Sequence, residues 1–141
     1  MRQLFPEEFG FRARSKHPPL DPINSMLSYG YTVLLSRVEY GLMLAGLNPY
    51  EGVLHVAYRN RRVLSFDLIE EFRQPIVDRV VITQVGQRKI KVEDFERRPE
   101  MCYMKDGTKR NFLDALYRRL EDQYTYKGRR MEFLDIIFER R

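Results

Sequence analysis

The chain has a single cysteine, Cys102, which excludes an internal disulfide framework and leaves no second thiol for a zinc knuckle. It has no apolar run near the roughly 18 residues that a membrane span requires. Its first ten residues, MRQLFPEEFG, lack the basic and apolar regions of a secretory signal and the acid-poor character of a transit peptide. The expected compartment is therefore the cytoplasm, with no membrane partner. A glycine-rich phosphate loop, a nucleophile elbow and a CxxC pair are also missing, which removes support for nucleotide hydrolysis, serine hydrolysis and zinc-finger readings.

What is present is globular and basic. With 141 residues the chain can bury one sizeable core, and it is read as a single unit, 1–141. Net charge is +5, carried largely by arginine, whose planar fork suits bidentate contact with phosphate. A polyanionic partner fits that charge, although a basic surface also serves solubility alone.

Helical periodicity dominates. Asp21 is placed to cap a helix with Pro22 at its first position, and Ile23, Leu27, Leu34, Val38, Leu42 and Ala45 recur at helical spacing up to Gly46. Met26, Tyr31, Val33, Leu35 and Met43 add apolar groups on other faces, so this helix is expected at the centre of the core, with Tyr29, Tyr31 and Tyr40 as packing residues. Upstream, PEEFGFRARSKHPPL is broken by proline and glycine and reads as a surface loop. The segment YEGVLHVAY fits either a helix or a strand.

A second helix is expected from a cap at Ser65, with Leu68, Phe72, Ile76 and Val80 on one side and Asp67, Glu70, Glu71 and Gln74 on the other. Pro75 should kink it without ending it, because Val81 and Val85 continue the rhythm to Gly86. QRKIKVEDFERRP is a connector with one helical turn at VEDF. Thr108 is placed to cap a third helix carrying Phe112, Leu116, Leu120 and Tyr124, and a last helix is expected over 129–141 after Gly128. The fold class is all-α, a helical bundle with little or no sheet.

The chemistry-bearing pattern is His55 in an apolar segment, followed by Asp67 and Glu70. The two carboxylates stand three apart on the expected helix and can share a ligand or a water. One imidazole with two oxygen donors suits Mg²⁺ or Mn²⁺ better than structural zinc. Spacing alone still favours the plainer readings, a hydrogen-bonded core histidine and a solvated acidic face. Basic pairs bracket this segment, and Arg12, Arg14, Lys16, Arg59, Arg61, Arg62 and Arg73 are the candidate nucleic-acid contacts. His17, in the same loop as Arg12, is a weaker ligand candidate.

The stretch PPLDPINSMLSYGYTVLLSRVEYGLMLAGLNPYEGVLH, followed by SFDLIEEFRQPIVDRVV, closely resembles the C-terminal helical domain of the integrase of CRISPR spacer acquisition, the Cas-one family. The resemblance implies a metal-dependent DNA endonuclease and integrase that joins a DNA 3′-hydroxyl to the CRISPR repeat by transesterification and cuts branched DNA. It implies His55 and Asp67 as metal ligands and Glu70 as the acid supporting the site, with Mg²⁺ or Mn²⁺ as cofactor. It further implies a homodimer, a small partner called Cas-two, and DNA substrates comprising branched DNA, the repeat and captured spacer fragments. By the same resemblance a glutamate ligand and an N-terminal β-rich dimerisation domain precede this region, so the chain is expected to carry a partial catalytic domain with little activity alone. The alternatives are a non-catalytic helical module that binds DNA or protein, and a related transposon-encoded integrase with the same residues.

Overall fold

The computed structural model describes residues 5–15, 18–44, 69–121, 124–126 and 129–131. Residues 1–4, the helix end at Gly46, YEGVLHVAY, the Ser65 cap and the part of the last helix beyond Met131 lie outside the described residues, as do His17 and Gly128.

Helix α1 spans Pro22–Leu44 and begins where the sequence indicates. The Asn24 backbone N–H donates to Asp21 Oδ1 at 2.9 Å, which satisfies one of the donors left free in a first turn. Ile23, Met26, Leu27, Leu34 and Val38 are buried along its length. Residues 69–72 open a second helical stretch, which continues as a π-helical segment, Arg73–Asp78, and then as α2, Arg79–Gly86. Phe72, Ile76 and Val80 face the core, while Glu70, Glu71 and Gln74 are exposed, as their spacing indicates.

Pro75 does not simply kink this stretch. It has no N–H for the usual bond, and the backbone widens, so that the Arg79 N–H donates to Gln74 O. The Pro75 carbonyl accepts from Arg119 Nε at 2.9 Å. That arginine belongs to α3, Asp106–Glu121, which buries Phe112, Leu116 and Leu120 against the π segment and α2. Helix α3 starts two residues before the expected Thr108 cap: the Lys109 N–H already donates to Lys105 O at 2.9 Å, and Asp106 places its charge in the first turn.

Two short antiparallel hairpins complete the described chain. β1, Phe95–Arg97, pairs with β2, Cys102–Met104, in the register Phe95 to Met104. The VEDF turn is a 3-10 turn, Val92–Asp94, leading straight into β1. β3, Tyr124–Tyr126, pairs with β4, Arg129–Met131. Tyr124 therefore leaves the third helix, and residues 129–131 are extended where a helix was expected. The Tyr-Thr-Tyr run favours a pleated strand, because its aromatic and β-branched side chains fit that backbone better than a helix.

The N-terminal segment is more than a surface loop. Phe9 is 2% exposed, Phe5 is also buried, and the Phe5 and Phe11 rings meet edge to face at 5.5 Å. Its anchor is Asn24, fully buried in the first turn of α1. Asn24 Nδ2 donates to Ala13 O at 2.9 Å, and Asn24 Oδ1 accepts from the Ser15 N–H at 2.9 Å. A buried amide satisfied on both sides fixes the segment to the helix.

Candidate metal and nucleic-acid site

Glu70, the expected supporting acid of the metal site, lies on the exposed turn just before the π segment. His55 and Asp67 lie outside the described residues, as do Lys16, Arg59, Arg61 and Arg62. Among the described residues no group of three His, Cys, Asp or Glu is disposed to hold a metal ion.

Around Glu70 a connected set of side chains is in place. Arg73 Nη1 donates to Glu70 Oε1 at 2.8 Å. The Arg73 guanidinium rests over the Tyr31 ring, 4.3 Å from its centroid, and the Tyr31 hydroxyl donates to Asp78 Oδ1 at 2.5 Å. Tyr31, Glu70, Arg73, Gln74, Pro75 and Asp78 line an open depression of about 310 Å³. Burial of the phenol, and next its bond to the Asp78 carboxylate, push the Tyr31 pKa up to about 12. Tyr31 therefore stays a neutral hydrogen-bond donor.

Of the basic residues, Arg12 is exposed. Arg14 is half-buried and donates to Ser15 O at 2.7 Å, Asn24 Oδ1 at 2.6 Å and Ser28 Oγ at 3.0 Å, with its guanidinium 5.3 Å from the Tyr31 ring centroid. Burial lowers its pKa, with Tyr31 opposing. The structure thus gathers Glu70, Arg73 and Arg14 around one tyrosine.

Tyr31 reads from sequence only as a packing residue, because an aromatic at helical spacing carries no sign of a polar partner. Asp78 had a sequence signal: with Glu70 and Gln74 it forms an i, i+4 polar row. The Arg119 contact with Pro75 had none, since nothing distinguishes Arg119 from its basic neighbour Arg118.

The family model for CRISPR associated protein Cas1 matches residues 1–118, a span that contains His55, Asp67, Glu70 and the candidate basic residues Arg12 to Arg73. CRISPR-associated endonuclease Cas1 1 of Archaeoglobus fulgidus is 41% identical over 140 residues, covering 95% of this chain and 41% of its own length. A solved Cas1 protein from Thermotoga maritima aligns with a TM-score of 0.76 at 25% identity, over 97% of this chain and 42% of the other. A casposase bound to integration product aligns with a TM-score of 0.75 at 26% identity, over 98% of this chain and 40% of the other. The chain belongs to the Cas1 family. It spans about two fifths of the length of the curated relatives it matches, and its mostly helical architecture is that of the C-terminal domain the sequence resembles. No helix among the described residues is long and apolar enough to cross a membrane.

Proposed function

We propose that this chain provides the helical part of the catalytic centre of a metal-dependent DNA endonuclease and integrase of CRISPR spacer acquisition. The observation that carries the reading is membership of the Cas1 family over a span that includes His55, Asp67 and Glu70 together. In the reaction, the oxygen of a DNA 3′-hydroxyl attacks a phosphorus of the repeat. A new O–P bond forms, an existing P–O bond breaks, and the departing 3′-oxygen takes up a proton.

The donor set fits a hard divalent ion, Mg²⁺ or Mn²⁺. His55 and Asp67 are its ligands and Glu70 is the supporting acid, so one imidazole and carboxylate oxygens surround the ion. When bound, such an ion neutralises charge developing on the phosphate and lowers the pKa of the attacking hydroxyl. The protein's own part is to orient the carboxylates and to hold the DNA backbone. Glu70 suits the first task, because Arg73 already fixes one of its oxygens. For the second, Arg12, Lys16, Arg59, Arg61 and Arg62 offer charge for phosphate contacts, and Arg14 and Arg73 add half-buried charge beside Tyr31. The acting form is a homodimer with Cas2, on branched DNA, the CRISPR repeat and captured fragments.

The test is integration of a DNA fragment with a free 3′-hydroxyl into a repeat-bearing plasmid by the chain supplied with its upstream region, with Mn²⁺ and Cas2 present. His55→Ala is expected to abolish the joined product. Equal integration by the variant and the wild type would overturn the reading.

A further inference from the structure

The Arg73 to Glu70 ion pair is exposed on its acidic side, where the carboxylate side chain is 68% accessible. Such a pair adds little stability, because water screens it and two long side chains must be ordered to make it. Here the ordering of one partner is already done. The Tyr31 ring supports the guanidinium face at 4.3 Å, and the Tyr31 hydroxyl is tied to Asp78, two turns beyond Arg73's own partner on the same helical stretch. What this arrangement supplies is direction: Glu70 Oε1 is held at 2.8 Å by a donor that cannot swing freely. That bond is made to Oε1 alone of the two carboxylate oxygens.

We propose that Tyr31 and Arg73 are positioning residues for the Glu70 carboxylate, holding Oε1 so that the carboxylate is oriented to support the divalent ion. Tyr31 acts through Arg73, and Arg73 through Glu70. The inference deepens the proposed function and rests on its metal site.

The test follows Mn²⁺ binding by electron paramagnetic resonance to the chain joined to the upstream glutamate-bearing segment that the resemblance implies, with the melting shift that Mn²⁺ produces as a second readout. Arg73→Met and Tyr31→Leu are each expected to weaken Mn²⁺ binding about tenfold, as loss of a group that orients a ligand commonly does. Tyr31→Phe, which keeps the supporting ring, is expected to weaken it less. In a Glu70→Gln background none of the three is expected to have a further effect. Unchanged Mn²⁺ binding by Arg73→Met, in a protein where His55→Ala removes it, overturns this inference and leaves the metal site standing. A loss that persists undiminished in the Glu70→Gln background also overturns it, because the residues would then act on the fold and not on the carboxylate. Loss of DNA affinity by Arg73→Met with Mn²⁺ binding intact does the same. Absence of Mn²⁺ binding in the wild type overturns both. Should Tyr31→Leu fail to fold, Arg73→Met decides alone.

Discussion

A methyl group on Gly30 would stand 2.6 Å from Val77 Cγ1, closer than two carbons can approach. Gly30 lies inside α1, where glycine is less favourable than alanine by about 1 kcal/mol, and Val77 lies in the π segment. The missing side chain lets the two helical backbones meet, and Val77 is completely buried in that contact.

Gly30→Ala is therefore expected to destabilise the protein by about 1–3 kcal/mol despite its better helix propensity, read as a lower denaturant midpoint with an unchanged slope. A second change, Val77→Ala, should recover part of the loss by opening space. Gly107→Ala is the contrast: a Cβ there meets nothing within 4 Å, so that variant should be neutral or more stable by up to about 1 kcal/mol. A loss of stability at Gly107 comparable to that at Gly30 would contradict the packing account.

This contact also shows where sequence reading stops. The start of α1 is written locally in Asp21, Pro22 and the Ile23, Leu27, Leu34 rhythm, and it forms as written. Phe72, Ile76 and Val80 likewise declare the buried side of the second stretch. Whether Pro75 bends that stretch or widens it depends on Arg119 and Gly30, which arrive from other helices and leave no trace in the local pattern. The three-residue strands are too short for an alternating period to emerge. Glu70 was legible as an exposed acid, whereas the role of Tyr31 depends on Asp78, 47 positions away. Gly86 illustrates the same limit at a helix end. It is the last residue of α2, but the left-handed position that follows is taken by Arg88, at φ 57°.

The Asp21 cap carries more than a first-turn bond. Its Oδ1 accepts the Asn24 N–H, and its Oδ2 accepts Asn24 Nδ2 at 2.6 Å, within a site that is almost wholly buried. Asp21→Ala should cost about 1–2 kcal/mol, towards the upper end because Asn24 loses a partner it cannot replace with water. Thermal melting gives the number, and Asp21→Asn, which keeps an oxygen for the backbone N–H, should fall between the two. A melt unchanged by Asp21→Ala would exclude this role.

Cys102 is completely buried in β2, where its backbone N–H donates to Pro19 O at 2.9 Å. Burial raises its thiol pKa, against the opposing pull of nearby Arg97, so little thiolate forms at neutral pH. In the native protein Cys102 should react with a disulfide reagent at least about a hundredfold more slowly than free cysteine, and fully once denaturant is added. A fast native reaction would mean that the β1–β2 hairpin opens readily.

The Tyr31 hydroxyl predicts a pH signature. An unfolded tyrosine loses its proton near pH 10, whereas Tyr31 keeps its proton to about pH 12, chiefly through burial and then through Asp78. Below pH 10 both states are protonated and the stabilisation is fully present. Between about pH 10 and 12 the unfolded chain releases the proton and the folded one resists, so this contribution is lost as pH rises. Wild-type stability should fall more steeply than that of Tyr31→Phe across this window, since every other titrating group is common to both. Absorbance at the tyrosinate band gives an independent check, because the variant should lack one late-ionising phenol. Parallel stability curves for the two proteins would show that neither burial nor Asp78 holds the proton.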